Sequence, residues 1–117
     1  MKSYTDLEQS KKLAEFLPLE SADMEYMFLK KDGSKVSNVP FVKDDDEPEW
    51  PDDGSYDFIP CWSLATLYSV LPTFTLDSSD DKYFRIHCCK KFSEWYNNPV
   101  DAAFEMILKL HEQNINI

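Results

Sequence analysis

Glycine is nearly absent from this sequence, standing only at positions 33 and 54. That excludes the glycine-dense loops that cradle phosphates: there is no G-x-G-x-x-G, no P-loop and no G-x-S-x-G elbow. Basic side chains are missing altogether from residues 44–81, where eleven acids fall. Residues 1–43 balance at seven of each sign, and residues 82–117 carry five bases and four acids. The formal charge of −10 therefore comes from one stretch. Such a chain repels polyanions, which disfavours direct nucleic-acid binding and attraction to anionic membranes. No apolar run approaches the ~18 residues of a membrane span. Residues 1–6 lead into a charged helix, without the apolar core of a signal peptide. The three cysteines, Cys61, Cys88 and Cys89, cannot all pair, and two are neighbours. That is the usage of a reducing compartment, so the cytoplasm is expected.

What is present is enough to fold. The 117 residues are 43% apolar and 15% aromatic, too rich in core-forming side chains for a disordered chain. The length predicts a single domain over 1–117, with no repeat and no internal boundary. Thr5-Asp6-Leu7-Glu8 has the form of a capping box opening a helix that Pro18 ends near Leu17. Residues 24–30 and 35–42 read as a hairpin about the Asp32-Gly33 turn, with Pro40 confining the second strand to an edge. Residues 43–57 read as an acidic loop, because two prolines, a glycine and like charges exclude regular structure.

Ser63 is placed to cap a helix over Leu64–Leu71, with Leu64, Leu67, Tyr68 and Leu71 on one face. Thr73–Leu76, Lys82–Cys88 and Phe92–Tyr96 read as a small antiparallel meander, with Tyr83, Arg85 and His87 on one side of its middle strand. Asn98-Pro99 opens the last helix, an N-cap followed by proline at the first helical position. Its apolar face is expected to hold Val100, Ala103, Phe104, Ile107, Leu108 and His111, widened by Met106 and Leu110. Asp101, Glu105, Lys109 and Glu112 are expected on the other face, with Glu105 and Lys109 as an i, i+4 pair. The expected fold is α+β: about three helices on a small antiparallel sheet, with a long acidic loop.

The candidate chemistry is thin. Read from Asp44, the acidic run places Glu49 where a calcium loop needs glycine, and the later frames do no better, so the run reads as a solvated surface. Cys61 precedes a helix, yet nothing in the sequence brings His87 or His111 to it. His87-Cys88-Cys89 lacks zinc-ligand spacing, and adjacent strand residues point to opposite faces. No catalytic residue, metal or cofactor is assigned, and an enzyme is unsupported. Aromatics interleave with the acids, and a binding surface of that kind combines hydrophobic anchors with electrostatic steering.

Two blocks carry a resemblance. Pro60-Cys61-Trp62-Ser63-Leu64-Ala65-Thr66-Leu67 resembles a P-x-W-S-L-x-x-L block. Residues 98–112 resemble an N-P-V-D-A-x-x-E-M-I-x-K-L-H-E terminus. Both are similar to blocks in small acidic proteins of Bacteroides-type gut bacteria, their mobile elements and phages, a family without an assigned activity. The resemblance implies a bacterial or phage cytoplasmic setting and nothing catalytic.

The leading expectation is a non-enzymatic interaction module that meets a basic partner, with Trp50 as anchor and Asp44, Asp45, Asp46, Glu47, Asp52 and Asp53 as the charged surface. A nucleic-acid mimic that inhibits a DNA-binding or defence protein is the second. A small-ligand binder or enzyme with a pocket around Trp62, Trp95 and His111 is the third. An open sheet edge, at residues 36–42 or in the last meander strand, would permit a homodimer, and the sequence leaves monomer and dimer both open.

Overall fold

The computed structural model describes residues 1–43, 55–80 and 82–115. It has the expected α+β class, with three α-helices, one 3-10 turn and two three-stranded antiparallel sheets among the described residues. Contacts group the chain into two compact units, Asp6–Trp62 and Met1–Thr5 with Ser63–Ile117. None of the described helices is long and apolar enough to cross a membrane.

In the first unit, helix α1 (Leu7–Ala14) begins one residue later than the capping box read from the sequence. Asp6, not Thr5, is the cap. Its carboxylate accepts the Gln9 N–H at 2.8 Å and the Gln9 side chain accepts the Asp6 N–H at 3.1 Å. Strand β1 (Met24–Leu29) is central, flanked by β2 (Phe41–Val42) and β3 (Tyr56–Cys61). The turn after β1 is as expected. Gly33 sits at φ 74°, and Asp32 accepts from both the Ser34 N–H and its hydroxyl. The returning strand is shorter than predicted, touching β1 near Lys35 and pairing regularly only at Phe41–Val42.

Strand β3 overturns part of the loop prediction. Tyr56 and Asp57 already pair with β1, opposite Leu29 and Phe28. Residues 44–54 of the expected acidic loop lie outside the described residues. Pro60 is tolerated in β3 because that strand is an edge of the sheet as described, where a missing N–H breaks no ladder. Helix α1 packs against β3. Leu13, Cys61 and Trp62 are completely buried, and the Trp62 indole N–H donates to the Ser21 hydroxyl at 3.0 Å. That bond offsets the desolvation of the indole N–H.

In the second unit, Ser63 caps helix α2 (Leu64–Val70) as expected, its hydroxyl accepting the Thr66 N–H. Strands β4 (Phe74–Ser79), β5 (Tyr83–Cys88) and β6 (Lys91–Phe92) form the meander. Helix α3 (Pro99–Glu112) packs on β5 and on α2. Asn98 caps it, with its side-chain oxygen 2.9 Å from the Asp101 nitrogen. Its buried face runs through Val100, Ala103, Met106, Ile107 and Leu110. Phe104 and Leu108 are only partly buried and His111 is exposed, so the apolar stripe lies to one side of the one predicted. Residues 1–5 also belong to this unit. Tyr4 bridges Ser63, the Leu64 N–H reaches the Ser3 carbonyl, and Lys2 pairs with Asp101 at 2.8 Å.

Candidate ligand-binding face of the second sheet

Of the residues the sequence nominated for binding, Asp44, Asp45, Asp46, Glu47, Trp50, Asp52 and Asp53 all lie outside the described residues. Trp62, nominated for a pocket, is completely buried. Trp95, named beside it, is 43% exposed on the second sheet. That sheet carries a cluster of exposed aromatic side chains beside an open concavity.

The β5–β6 hairpin places it. Cys89 and Lys90 connect the two strands with φ of 53° and 66°, both left-handed, as a two-residue turn between twisted strands requires. Neither is glycine, so the hairpin is held by the pairing beyond it. His87 lies opposite Phe92, and the Ser93 N–H reaches the Ile86 carbonyl at 2.9 Å. The next pair is Phe84 with Tyr96, which exchange backbone bonds in both directions. Arg85 alone therefore faces both Glu94 and Trp95. One extra residue has entered the strand, which makes a β-bulge. Without it Trp95 would lie opposite Phe84, on the face that packs against α3. With it Trp95 joins Arg85 and Phe92 on the outer face.

Three side chains hold the bulge. Ser93, 4% exposed, accepts the Ile86 N–H through its hydroxyl at 2.9 Å and donates to the Glu94 carbonyl. From α3, the Glu105 carboxylate accepts the Glu94 N–H at 2.7 Å and the Lys109 ammonium donates to the Phe92 carbonyl at 2.8 Å. Glu105 and Lys109 lie 3.7 Å apart. The sequence reads these two as a solvent-side helix pair, whereas they serve the backbone of the strand. They also cover edge groups on which another strand would pair. Tyr96, on the inner side, has its hydroxyl pKa raised, first by burial and then by the Glu105 carboxylate.

The outer face is a column of flat groups. The His87 imidazole stacks on the Phe92 ring at 4.2 Å and 7°. The Arg85 guanidinium carbon lies 4.5 Å from the centres of both the Phe92 and the Trp95 rings. Since His87 covers one face of Phe92, Arg85 takes the other. Asp77, directly across from Arg85 on β4, accepts from it at 3.0 and 3.3 Å and neutralises its charge. Beyond Trp95, an open concavity of about 310 Å³ is lined by Ser79, Tyr83 and Trp95. Tyr83 is 52% exposed and pairs across the strands with Ser79.

Two of the three thiols are withdrawn from solvent. Cys61 is completely buried. Cys88 faces the core, and burial together with Cys89 pushes its thiol up to about 11. The two sulfurs lie 3.6 Å apart, against the expectation that they diverge, because Cys89 has left the strand for the left-handed turn. No cluster of three or more histidine, cysteine or carboxylate side chains suited to a metal occurs among the described residues. Compared with known proteins, the chain matches no family model, no curated protein and no solved structure.

Proposed function

We propose that this chain is a non-enzymatic interaction module that binds a basic protein partner. The observation that carries the reading is the outer face of β4–β5–β6, where Tyr83, Phe92 and Trp95 stand exposed around an Arg85 already neutralised by Asp77. Exposed aromatics clustered on a rigid sheet supply binding energy at low entropic cost. The charge of −10 selects a cationic partner and speeds encounter with it. In this reading Asp44, Asp45, Asp46, Glu47, Asp52 and Asp53 steer the partner, and Trp50 adds an anchor. Thiols at all three cysteines fit a reducing, cytoplasmic setting.

The test starts with capture of host proteins on the immobilised chain, followed by purification of the captured protein and titration at several salt concentrations. Replacing Asp44, Asp45, Asp46 and Glu47 by their amides should weaken binding and flatten its salt dependence. Equal affinity and equal salt slope for both forms would sink the reading. Competition by DNA for the same target would instead make the acids a mimic of phosphates.

A further inference from the structure

Resting on that reading, we infer that the concavity lined by Trp95, Tyr83 and Ser79 is a receptor for one arginine side chain of the basic partner. Its volume of about 310 Å³ stands at the small end of ligand sites, the scale of a single side chain or a small molecule. Among the described residues, its walls are two aromatic side chains and one hydroxyl. That set offers π-surface to a planar group and an acceptor to an N–H donor.

The same face shows what such a surface holds. Arg85 lies over Phe92 and Trp95, 4.5 Å from each ring centre. A second guanidinium beside Trp95 and Tyr83 would extend that column by one member. Guanidinium suits the position better than ammonium, being flat, weakly hydrated and able to stack while its edge donates. Repulsion from Arg85 is offset by its pairing with Asp77. Asp80 and Lys82, both exposed in the turn between Ser79 and Tyr83, carry opposite charges, so the net charge of −10 is what draws the cation. The receptor is also built in advance. Trp95 reaches the outer face through a bulge held by Ser93, Glu105 and Lys109, so little ordering is left for the moment of binding.

The probe is a blocked glycyl-arginyl-glycine peptide, with its citrulline counterpart of the same shape and no charge, and methyl glucoside as the sugar that aromatic walls also accept. The readout is the indole N–H resonance of Trp95 and the amide of Tyr83 in the full chain. Saturable shifts at both are expected, with arginine binding about tenfold tighter than citrulline. Trp95→Ala and Tyr83→Ala should each weaken arginine binding about tenfold, with amide shifts confined to their neighbours on the outer face, such as Arg85, and the amides of α3 unmoved. Trp95→Phe should retain part of it. Equal binding of citrulline, preferential binding of the glucoside, or shifts mapping elsewhere would overturn the assignment. A partner that binds Trp95→Ala as well as the native chain but is lost on neutralising Asp44–Glu47 would remove the receptor and leave the interaction module standing. Arginine shifts at Trp95 without any basic protein partner would do the reverse.

Discussion

Glu105→Ala should destabilise the second unit by about 1–1.5 kcal/mol, more than an exposed helix glutamate ordinarily contributes. Its carboxylate accepts the Glu94 N–H at 2.7 Å, and a bond to a charged group contributes about 1.5–3 kcal/mol when well shielded. Glu94 is exposed, so water replaces part of that bond and the low end applies. The Lys109 pair at 3.7 Å adds a few tenths, because both side chains are partly solvated. Alanine returns up to about 0.4 kcal/mol through its higher helix propensity. For a unit of this size each kcal/mol moves Tm by about 4–8 °C, so a fall of roughly 5–10 °C is expected. Glu105→Gln keeps an acceptor oxygen and should lose less than half as much. Thermal unfolding followed by near-ultraviolet circular dichroism reads both variants. The tyrosine ring carbons report separately that Tyr96 loses part of its raised pKa. A Tm for Glu105→Ala within 1 °C of the native chain would refute the role of this carboxylate in holding the bulge. Equal damage from Gln and Ala would place the effect in the charge rather than in the strand bond.

Stability should fall as pH rises from 9 to 11. The folded chain keeps its Cys88 proton to about 11 whereas the unfolded chain releases it near 9.0, so in that window the folded state binds more protons. Tyr68 and Tyr96, both raised, extend the loss above pH 10, and Cys88→Ala should flatten the lower part of the decline in urea midpoints. Iodoacetamide should label the native chain rapidly at Cys89 alone and all three cysteines after denaturation, as counted by mass spectrometry. Lys90→Gly should raise stability by about 0.5–1 kcal/mol, since Lys90 holds φ 66° in a turn that favours glycine. A lower Tm for that variant would count against the turn geometry.

Local signals proved legible where one residue type answers one local need. Asn98-Pro99, Ser63 and Asp32-Gly33 each satisfy or relax the backbone within four residues, and each stands where the sequence put it. The alternation Tyr83, Arg85, His87 likewise follows from the pleat of a single strand. What was not legible depends on partners far along the chain. The start of strand β3, Tyr56 and Asp57, reads as loop because the prolines, glycine and like charges just before it carry no sign of the β1 partner it pairs with. Two sheets rather than one cannot be told from strands whose pairings are not yet known. The candidate face stayed hidden because Phe92–Tyr96 reads as a regular strand, with Trp95 and Phe92 on opposite sides. The signal that was present is Ser93, a small hydroxyl between aromatic neighbours, able to stand in for the backbone acceptor at a bulge. Glu105 and Lys109 satisfy the i, i+4 rule so well that nothing in the sequence asks for another partner.

The placement of residues 1–5 in the same unit as residues 63–117 has a consequence for the order of assembly. Lys2 meets Asp101, and Tyr4 meets Ser63, across separations of 99 and 59 residues. At ribosomal rates of about 5–20 residues per second, Lys2 waits roughly 5–20 s for Asp101 to be made. The Asp6–Trp62 segment is synthesised in full during that wait. Its α1 and strands can pair before the second unit has a core. Residues 1–5, made before either segment that follows them, are therefore among the last to be docked, and closing so long a loop is the slow kind of contact. In refolding from denaturant, where every residue is present from the start, the same closure competes at once with the local hairpins. A cell and a test tube should reach this fold by different routes.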